Sequence, residues 1–488
     1  MQLFSPYALL HEHASRHPET EAIVIGDLVI THAEFVERVT GFAAWLVHHG
    51  FKPGEVTGLC IRDEVEHLVC AMALLCLDTP HISLGSHEAD PTKRALAAKV
   101  GVTQLVAERP EGWMDGLKVL VAPIGDPAAI AAAPALNIER LCMGRSLDAV
   151  GVYQNTSGST NVPKTFGFTL ERIRLLSIRY ANDAQERRAL RTGSIEFDAH
   201  RLSRICSLLA GNTSVFIRHL NLRDLVSLCE RAQVSTIHMG GYKLGSLVQA
   251  ETHPRPRLPT FTMVQTGGSR VPGRLRKELM QALTENLWVL YATSEVGMIS
   301  LASPDQHESF PEGVGFPAQN VQVEVVGPDG DCVAAGEIGQ IRVRKAGMAP
   351  GYVAEPGAGS NFENGWFYPR DLVSLRDGEP LIFHGRADDV MILNGLNIFP
   401  SAIEDTLESH PGVKEAVAYP IKSRIHGEIP VAAVVLKDGT ERQVPQLMDL
   451  CRSALGIRAP RQILVVDRIP RNTAGKPLRR ELGASRTA

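Results

Sequence analysis

The sequence has no excess of either charge. Lys and Arg number 50 against 54 Asp and Glu, for a net charge of −4 over 488 residues. Binding nucleic acid through bulk charge calls for a strongly basic chain, so no nucleic-acid partner is expected and any anion site must be local. Paired cysteines are also missing. The eight cysteines (Cys60, Cys70, Cys76, Cys142, Cys206, Cys229, Cys332 and Cys451) form no Cys-x-x-Cys pair and no Cys/His cluster with zinc spacing. They read as buried thiols of a reducing compartment, filling core space as small hydrophobes. The longest apolar run, residues 68–77, is far short of the ~20 residues that span a bilayer. The N-terminus has neither a basic segment nor a continuous apolar stretch, so no signal peptide is expected. No repeat with a period of about 20–50 residues occurs. These absences predict a cytoplasmic protein without membrane contact.

What is present is ordinary for a globular chain, with 44% hydrophobic and 21% charged residues. At ~100–200 residues per domain, the length suggests roughly three domains or one large fold with an appendage. Residues 61–77 begin polar and become apolar, as an amphipathic helix on a core would. Short β-rich runs at 21–25, 214–217 and 236–238 alternate with helical stretches at 222–232 and 274–284. That alternation predicts an α/β fold with a largely parallel sheet. From about Val321 the pattern changes to two alternating runs, 321–326 and 340–344, with a Gly-Pro-Asp-Gly turn at 327–330. This predicts a small antiparallel β region. The Ala/Pro-rich segment 126–136 reads as a surface connection. Ser401 and Glu404 have capping-box spacing, so a helix is expected to start there. A β run at 431–436 and a helix at 446–455 complete a last α+β unit of about 100 residues.

Four local patterns carry chemistry. Residues 153–164 read Tyr-Gln-Asn-Thr-Ser-Gly-Ser-Thr-Asn-Val-Pro-Lys. Small hydroxyl residues and glycine let backbone N–H groups approach phosphate oxygens, and Lys164 adds charge. Pro163 stands where a G-x-x-x-x-G-K-[ST] loop needs glycine, so this is not that motif; alone, it is equally a Ser/Thr-rich surface turn. Tyr291-Ala-Thr-Ser-Glu295 places an aromatic ring beside a hydroxyl and a carboxylate, suited to a purine and Mg²⁺, or simply ends a strand. Gly385-Arg-Ala-Asp-Asp and Asn472-Thr-Ala-Gly-Lys476 each read singly as solvated turns.

Taken in this order and spacing, the four patterns resemble the adenylate-forming superfamily of acyl- and aryl-CoA synthetases, nonribosomal peptide synthetase adenylation domains and luciferase. The resemblance covers essentially the whole chain, from residues 14–22 through Gly54 and Gly267-Gly268 to Gly475-Lys476. It implies a large N-terminal body of packed αβ subdomains plus a small β region (residues 1–384), binding ATP and acid. A smaller mobile C-terminal α+β domain (385–488) would carry the catalytic lysine. By the same resemblance, Thr156, Ser157, Gly158, Ser159, Thr160 and Lys164 form the phosphate loop. Gly267, Gly268 and Ser269 line the adenine and acyl pocket. Tyr291, followed by Ala292, stacks on adenine. Ser294 and Glu295 hold phosphate and Mg²⁺, with Glu295 the metal ligand. Asp371 accepts from both ribose hydroxyls and Arg386 binds ribose or phosphate. Asp388 is the hinge, and Lys476 bridges the carboxylate and α-phosphate. The implied reaction is attack of a carboxylate on ATP with release of pyrophosphate, then transfer of the acyl group.

Some positions depart from the family pattern. Asn161 and Thr165 replace glycines of the phosphate loop, Ala292 replaces the glycine after the tyrosine, and Pro369-Arg370 replaces Thr-Gly before Asp371. The acceptor is left open between the thiol of CoA, a free amine, and the thiol of a separate carrier protein. Phe197-Asp198 resembles the Phe-Asp of amino-acid adenylation domains, in which the aspartate pairs with a substrate amine. Asp198 reads equally as a helix N-cap. His200 is either a partner in base catalysis or a satisfied core histidine. A non-catalytic protein on the same fold is disfavoured by the intact Lys476, Glu295 and Asp371. Met239, Gly240 and Gly241 are further expected pocket residues.

Overall fold

The computed structural model describes residues 3–134, 144–156, 163–196, 198–251, 256–354, 361–394, 396–423, 427–437, 443–472 and 475–484. The expected α/β body is built on two sheets. The six-stranded sheet runs Thr165–Thr169, Val150–Asn155, His81–Ser83, Thr57–Cys60, Gln104–Ala107, Lys118–Val121, and only its first pairing is antiparallel. The nine-stranded sheet runs Phe316–Pro317, Gly297–Ala302, Leu287–Thr293, Met263–Gly267, Thr236–His238, Arg188–Arg191, Thr213–Phe216, Glu21–Ile25, Leu28–Thr31. From Leu287–Thr293 to Glu21–Ile25 every pairing in it is parallel.

Helices His32–His48, Glu64–Cys76, Leu170–Asn182 and Asp198–Leu209 share one apolar core with Phe166 and Phe168. Helix His32–His48 starts with a full capping box, in which Glu34 N–H donates to Thr31 Oγ1 at 3.2 Å and Thr31 N–H to Glu34 Oε2 at 2.8 Å. The stretch expected to be an amphipathic helix is Glu64–Cys76, and that reading needs correction. Every residue in it except Glu64 and Glu66 is buried, so it is a central core helix with only its first turn polar. Asp63 caps it, accepting from the N–H groups of Val65 and Glu66.

The antiparallel β region is present. Val321–Val326 pairs with Gly339–Lys345, and Gly330 N–H closes the predicted turn on Gly327 C=O at 3.1 Å. In the same region Asp371–Ser374 pairs with Ile382–Arg386, which sets Asp371 directly opposite Arg386. The chain then makes a short 3-10 turn, Ala387–Asp389, and enters a second sheet at Met391–Leu393. His384 therefore lies within a strand of the body, and the passage between sheets comes at residues 387–390. The C-terminal sheet joins Met391–Leu393, Leu396–Ile398, Val413–Ser423, Gly427–Leu436 and Gln462–Val465. It shares a core with residues of helices Pro400–Glu408 and Val444–Leu455.

Three further local readings change. Ser401 does not cap its helix. Phe399 occupies the cap position, Pro400 starts the helix with its preset φ, and Ser401 Oγ donates to His384 C=O at 2.6 Å. Segment 126–136 contains a short helix, Pro127–Ala131, capped by Asp126. Cys332 is exposed and Cys60 half-buried, whereas Cys70, Cys76, Cys206, Cys229 and Cys451 are buried; Cys142 lies outside the described residues.

Candidate active site

The parallel strands end together on one edge of the nine-stranded sheet. Arg191 is in register with His238, His238 with Gln265, and Gly267 with Leu290. Such carboxyl ends are where open α/β sheets receive ligands. Here they line a cleft of about 3340 Å³ between the body and the C-terminal domain. Gly267 lets the two paired strands approach closely there, because a Cβ would lie 2.4 Å from the Leu290 carbonyl oxygen. Gly268 turns the chain with φ +80° and leads into Ser269, which also lines the cleft.

At one end of the cleft, carboxylates and guanidinium groups form a continuous chain. Tyr291 O–H donates to Asp371 Oδ2 at 2.6 Å. Arg386 reaches Asp371 Oδ1 at 3.4 Å and Asp388 Oδ2 at 3.4 Å, and Arg370 donates to Asp388 Oδ1 at 3.2 Å. Burial raises the pKa of Asp371; the Tyr291 hydroxyl and Arg386 oppose the rise. The Tyr291 ring is buried and tilted against Phe383 with centroids 6.0 Å apart, so it forms the wall behind Asp371.

Arg370 replaces the glycine of the resembled pattern yet keeps the backbone that glycine serves, with φ +62°. A side chain at such a φ costs about 1–2 kcal/mol. Its guanidinium, in return, reaches Asp388. Arg370→Ala keeps the strain and loses the ion pair, while Arg370→Gly loses both. We expect Arg370→Gly to be the more stable of the two by about 1 kcal/mol in denaturant unfolding. The reverse order would show that the left-handed backbone is not maintained.

Lys476 is carried into the cleft by a tight turn. Gly475 has φ +79° and its N–H donates to Asn472 C=O at 2.9 Å; Lys476 N–H donates to Asn472 Oδ1 at 2.9 Å. The residue as a whole is exposed, but its ammonium end is enclosed. Burial, then Arg386, lower its pKa, and Asp371, Glu295 and Asp389 pull the other way. Contacts absent from the sequence reading hold this arrangement. Arg471 lies over the Tyr242 ring at 4.2 Å. Arg270 bridges Glu312 at 2.8 Å and Asp405, and Arg274 donates to the carbonyls of Glu408 and Val413.

Glu295 is buried and accepts from Tyr352 O–H through Oε1 at 2.7 Å. Ala292 and Ser294 line the cleft beside it. Lys164 lies over the Tyr352 ring at 4.7 Å and donates to Asn361 at 3.4 Å. Thr156 N–H pairs with Lys164 C=O at 2.8 Å, joining the two ends of the segment expected to bind phosphate. Ser157, Gly158, Ser159, Thr160 and Asn161 lie outside the described residues. Thr165 is buried and starts a strand, with Oγ1 donating to Asn155 at 2.8 Å. Among the described residues no group of three or more His, Cys, Asp or Glu could hold a metal ion. A single carboxylate in a cationic cleft suits Mg²⁺ bound chiefly by substrate phosphates and water.

At the other end lie His200, Ser203, His238, Met239 and Gly240. His200 packs against Gly193, where a Cβ would be 2.1 Å from the ring. Burial and the nearby Arg204, Arg191 and His238 push its pKa down to about 3, so the imidazole is neutral and a poor proton acceptor. Asp198 begins helix Asp198–Leu209, but its side chain and Phe197 lie outside the described residues. A buried ion network here was not foreseen. Glu186 Oε2 accepts from Arg191 at 2.6 Å, and Glu186 Oε1 is 3.1 Å from His238 Nε2. Burial pushes Glu186 up, but Arg191 and His238 outweigh it and hold the carboxylate ionised. Its one sequence signal is arginine at both ends of the otherwise apolar strand Arg188–Arg191.

Comparison with known proteins places this geometry in a family. A model described as AMP-binding enzyme matches residues 10–353, and one described as AMP-binding enzyme C-terminal domain matches residues 402–476. The chain is 28% identical to a 2-succinylbenzoate–CoA ligase of Geobacillus kaustophilus, covering 97% of this chain and 96% of that one. Its fold is similar to that of Bacillus subtilis o-succinylbenzoate coenzyme A synthetase (MenE) in complex with ATP and magnesium ion. That match has TM-score 0.85 and 23% identity, and covers 99% of this chain and 100% of that chain. The amide bond synthetase McbA of Marinactinospora thermotolerans is similar to the same degree, with TM-score 0.86 and 21% identity, and 98% and 99% of the two chains covered. With one family model spanning most of the body and the second most of the C-terminal sheet, the chain belongs to the AMP-binding enzyme family.

Proposed function

We propose that this chain is an ATP-dependent carboxylic acid ligase that forms an acyl-adenylate and passes the acyl group to the thiol of CoA. One observation carries the first step. Lys476, on the C-terminal domain, faces Asp371 and Glu295 of the body. An acid oxygen attacks the α-phosphorus, the bond to the β-phosphate oxygen breaks, and pyrophosphate leaves. Two anions must meet, and Lys164, Arg386 and Lys476 supply positive charge along the cleft to offset their repulsion. Asp371 would take the ribose hydroxyls. Mg²⁺, held by Glu295, would neutralise phosphate charge.

The CoA acceptor is supported by the full-length likeness to a CoA ligase. We further propose that residues from Ala387 onward move as a unit about Asp388 between the two steps. Transfer to an amine or to a separate carrier protein is the alternative, and His200, with its lowered pKa, is a poor base for the amine reading. Among the described residues no helix is long and apolar enough to cross a membrane, and the described cysteines are all free; both support a cytoplasmic setting. The test is pyrophosphate exchange into ATP over aryl, fatty and amino acids, each active acid then being offered CoA or amines and the product identified by mass. A thioester supports the reading, an amide replaces the acceptor, and no exchange with any acid removes the function.

A further inference from the structure

Beside helix Leu170–Asn182 the cleft holds more positive charge than the groups around it balance. Arg172, Arg179 and Arg191 line it with His200 and His238, and Glu186 is the carboxylate set among them. Glu64 also lines the cleft, but it acts on Arg204 and Lys243. Arg191 uses Nη2 on Glu186, and its Nη1 is buried with no partner. Arg172 is 7% exposed, and its Nε likewise meets no acceptor. Arg179 directs Nη2 at the sulfur of Met298 at 3.4 Å, a weak acceptor. Lys345 donates to Met298 C=O at 3.0 Å beside them. Burial, then Arg172 and Arg179, press its pKa down to about 7, which registers a field already crowded with cations.

Arginine cannot relieve this by losing a proton. Each buried N–H without an acceptor costs about 1–3 kcal/mol. A site of that kind is completed by an incoming anion, and guanidinium groups suit a carboxylate bound in bidentate fashion. Its position fits the far end of a bound acid. Strand Thr236–His238 is two places along the sheet from Leu287–Thr293, and Arg188–Arg191 three. At ~4.8 Å per strand, that sets Arg191 roughly 14 Å from Tyr291, while Arg172 and Arg179 reach the cleft from helix Leu170–Asn182 against Gly297 and Met298, on the strand next to Tyr291's.

We propose that the acid activated here carries a second anionic group, a carboxylate or equivalent oxyanion. Arg172, Arg179 and the free Nη1 of Arg191 bind it beside helix Leu170–Asn182. The inference rests on the adenylation reading and names the substrate class of that same site. The test compares exchange kinetics for length-matched acids: adipate, suberate and sebacate against hexanoate, octanoate and decanoate, and terephthalate against benzoate. At least one dianion should exceed its monoanionic partner about tenfold or more in kcat/KM. Arg179→Met should raise KM for that dianion about tenfold or more, with kcat little changed, and leave the monoacid unaffected. Monoacids equal to or better than the dianions throughout, or an Arg179→Met loss shared by both classes, would overturn the inference while leaving adenylation intact. Exchange with no acid of either class would instead overturn the adenylation reading, and this inference with it.

Discussion

Lys476→Ala is expected to abolish pyrophosphate exchange, lowering kcat by at least about 100-fold, as for loss of a single preorganised charge in other active sites. In the proposed reaction the ammonium would meet the charge developing on the attacked phosphate, and Arg386, Asp371 and Glu295 are among the charged groups that act on it. Its anchoring turn is held mainly by backbone and by Asn472, so truncating the side chain leaves the turn's hydrogen bonds in place. Two controls separate chemistry from folding: an unchanged melting transition, and ATP binding close to that of the unmodified protein. A third reading follows from the proposed domain rotation. Supplied with preformed acyl-adenylate, the variant should still make thioester, because Lys476 faces the phosphates only in the closed arrangement. Persistent exchange in Lys476→Ala would remove the lysine from the mechanism.

Asp371→Asn is expected to be nearly as damaging, through ATP binding. The carboxylate is buried, accepts from Tyr291 and pairs with Arg386. An amide keeps the shape but loses the charge and one acceptor, and it leaves Arg386 underpaired. Hydrogen bonds to charged groups contribute about 1.5–3 kcal/mol each, so losing one proposed ribose contact and the charge behind the other weakens ATP binding by about 10–100-fold. Titration calorimetry with ATP reads this directly. The pH dependence carries its own sign. Burial raises the pKa of Asp371, so its charged form is lost at a higher pH than for an ordinary carboxylate. ATP affinity should fall early on acidification, and Asp371→Asn should remove that limb. Unchanged ATP affinity in Asp371→Asn would take Asp371 out of the nucleotide site.

The proposed nucleotide end could be read from sequence because single short segments carry its residues. Tyr291 to Glu295 sit on one strand end, and Asp371 with Arg386 on one hairpin. The alternating runs at 21–25, 214–217 and 236–238 likewise revealed parallel strands. The cationic wall of the cleft was not legible, because Arg172, Arg179, Glu186, Arg191 and His238 come from four elements and meet only through tertiary packing. Local rules also failed where packing overrode them. Helix Glu64–Cys76 has a polar start but is buried on every side, and Ser401 bonds to His384 of the body rather than capping its own helix. The backbone at Arg370 could not be read from the residue type, since arginine rarely adopts that φ.

The contacts that hold the C-terminal domain over the cleft are almost all made by arginines. Arg270 and Arg274 from the body meet a carboxylate and two carbonyls, and Arg471 rests on the accessible ring of Tyr242. Electrostatic contacts of this kind weaken with ionic strength, on the scale of a Debye length of about 8 Å in physiological salt. Under the proposed domain motion, the closed form would be an electrolyte-sensitive population, and the solution around the enzyme, as much as its substrates, would set how much time it spends ready for adenylation.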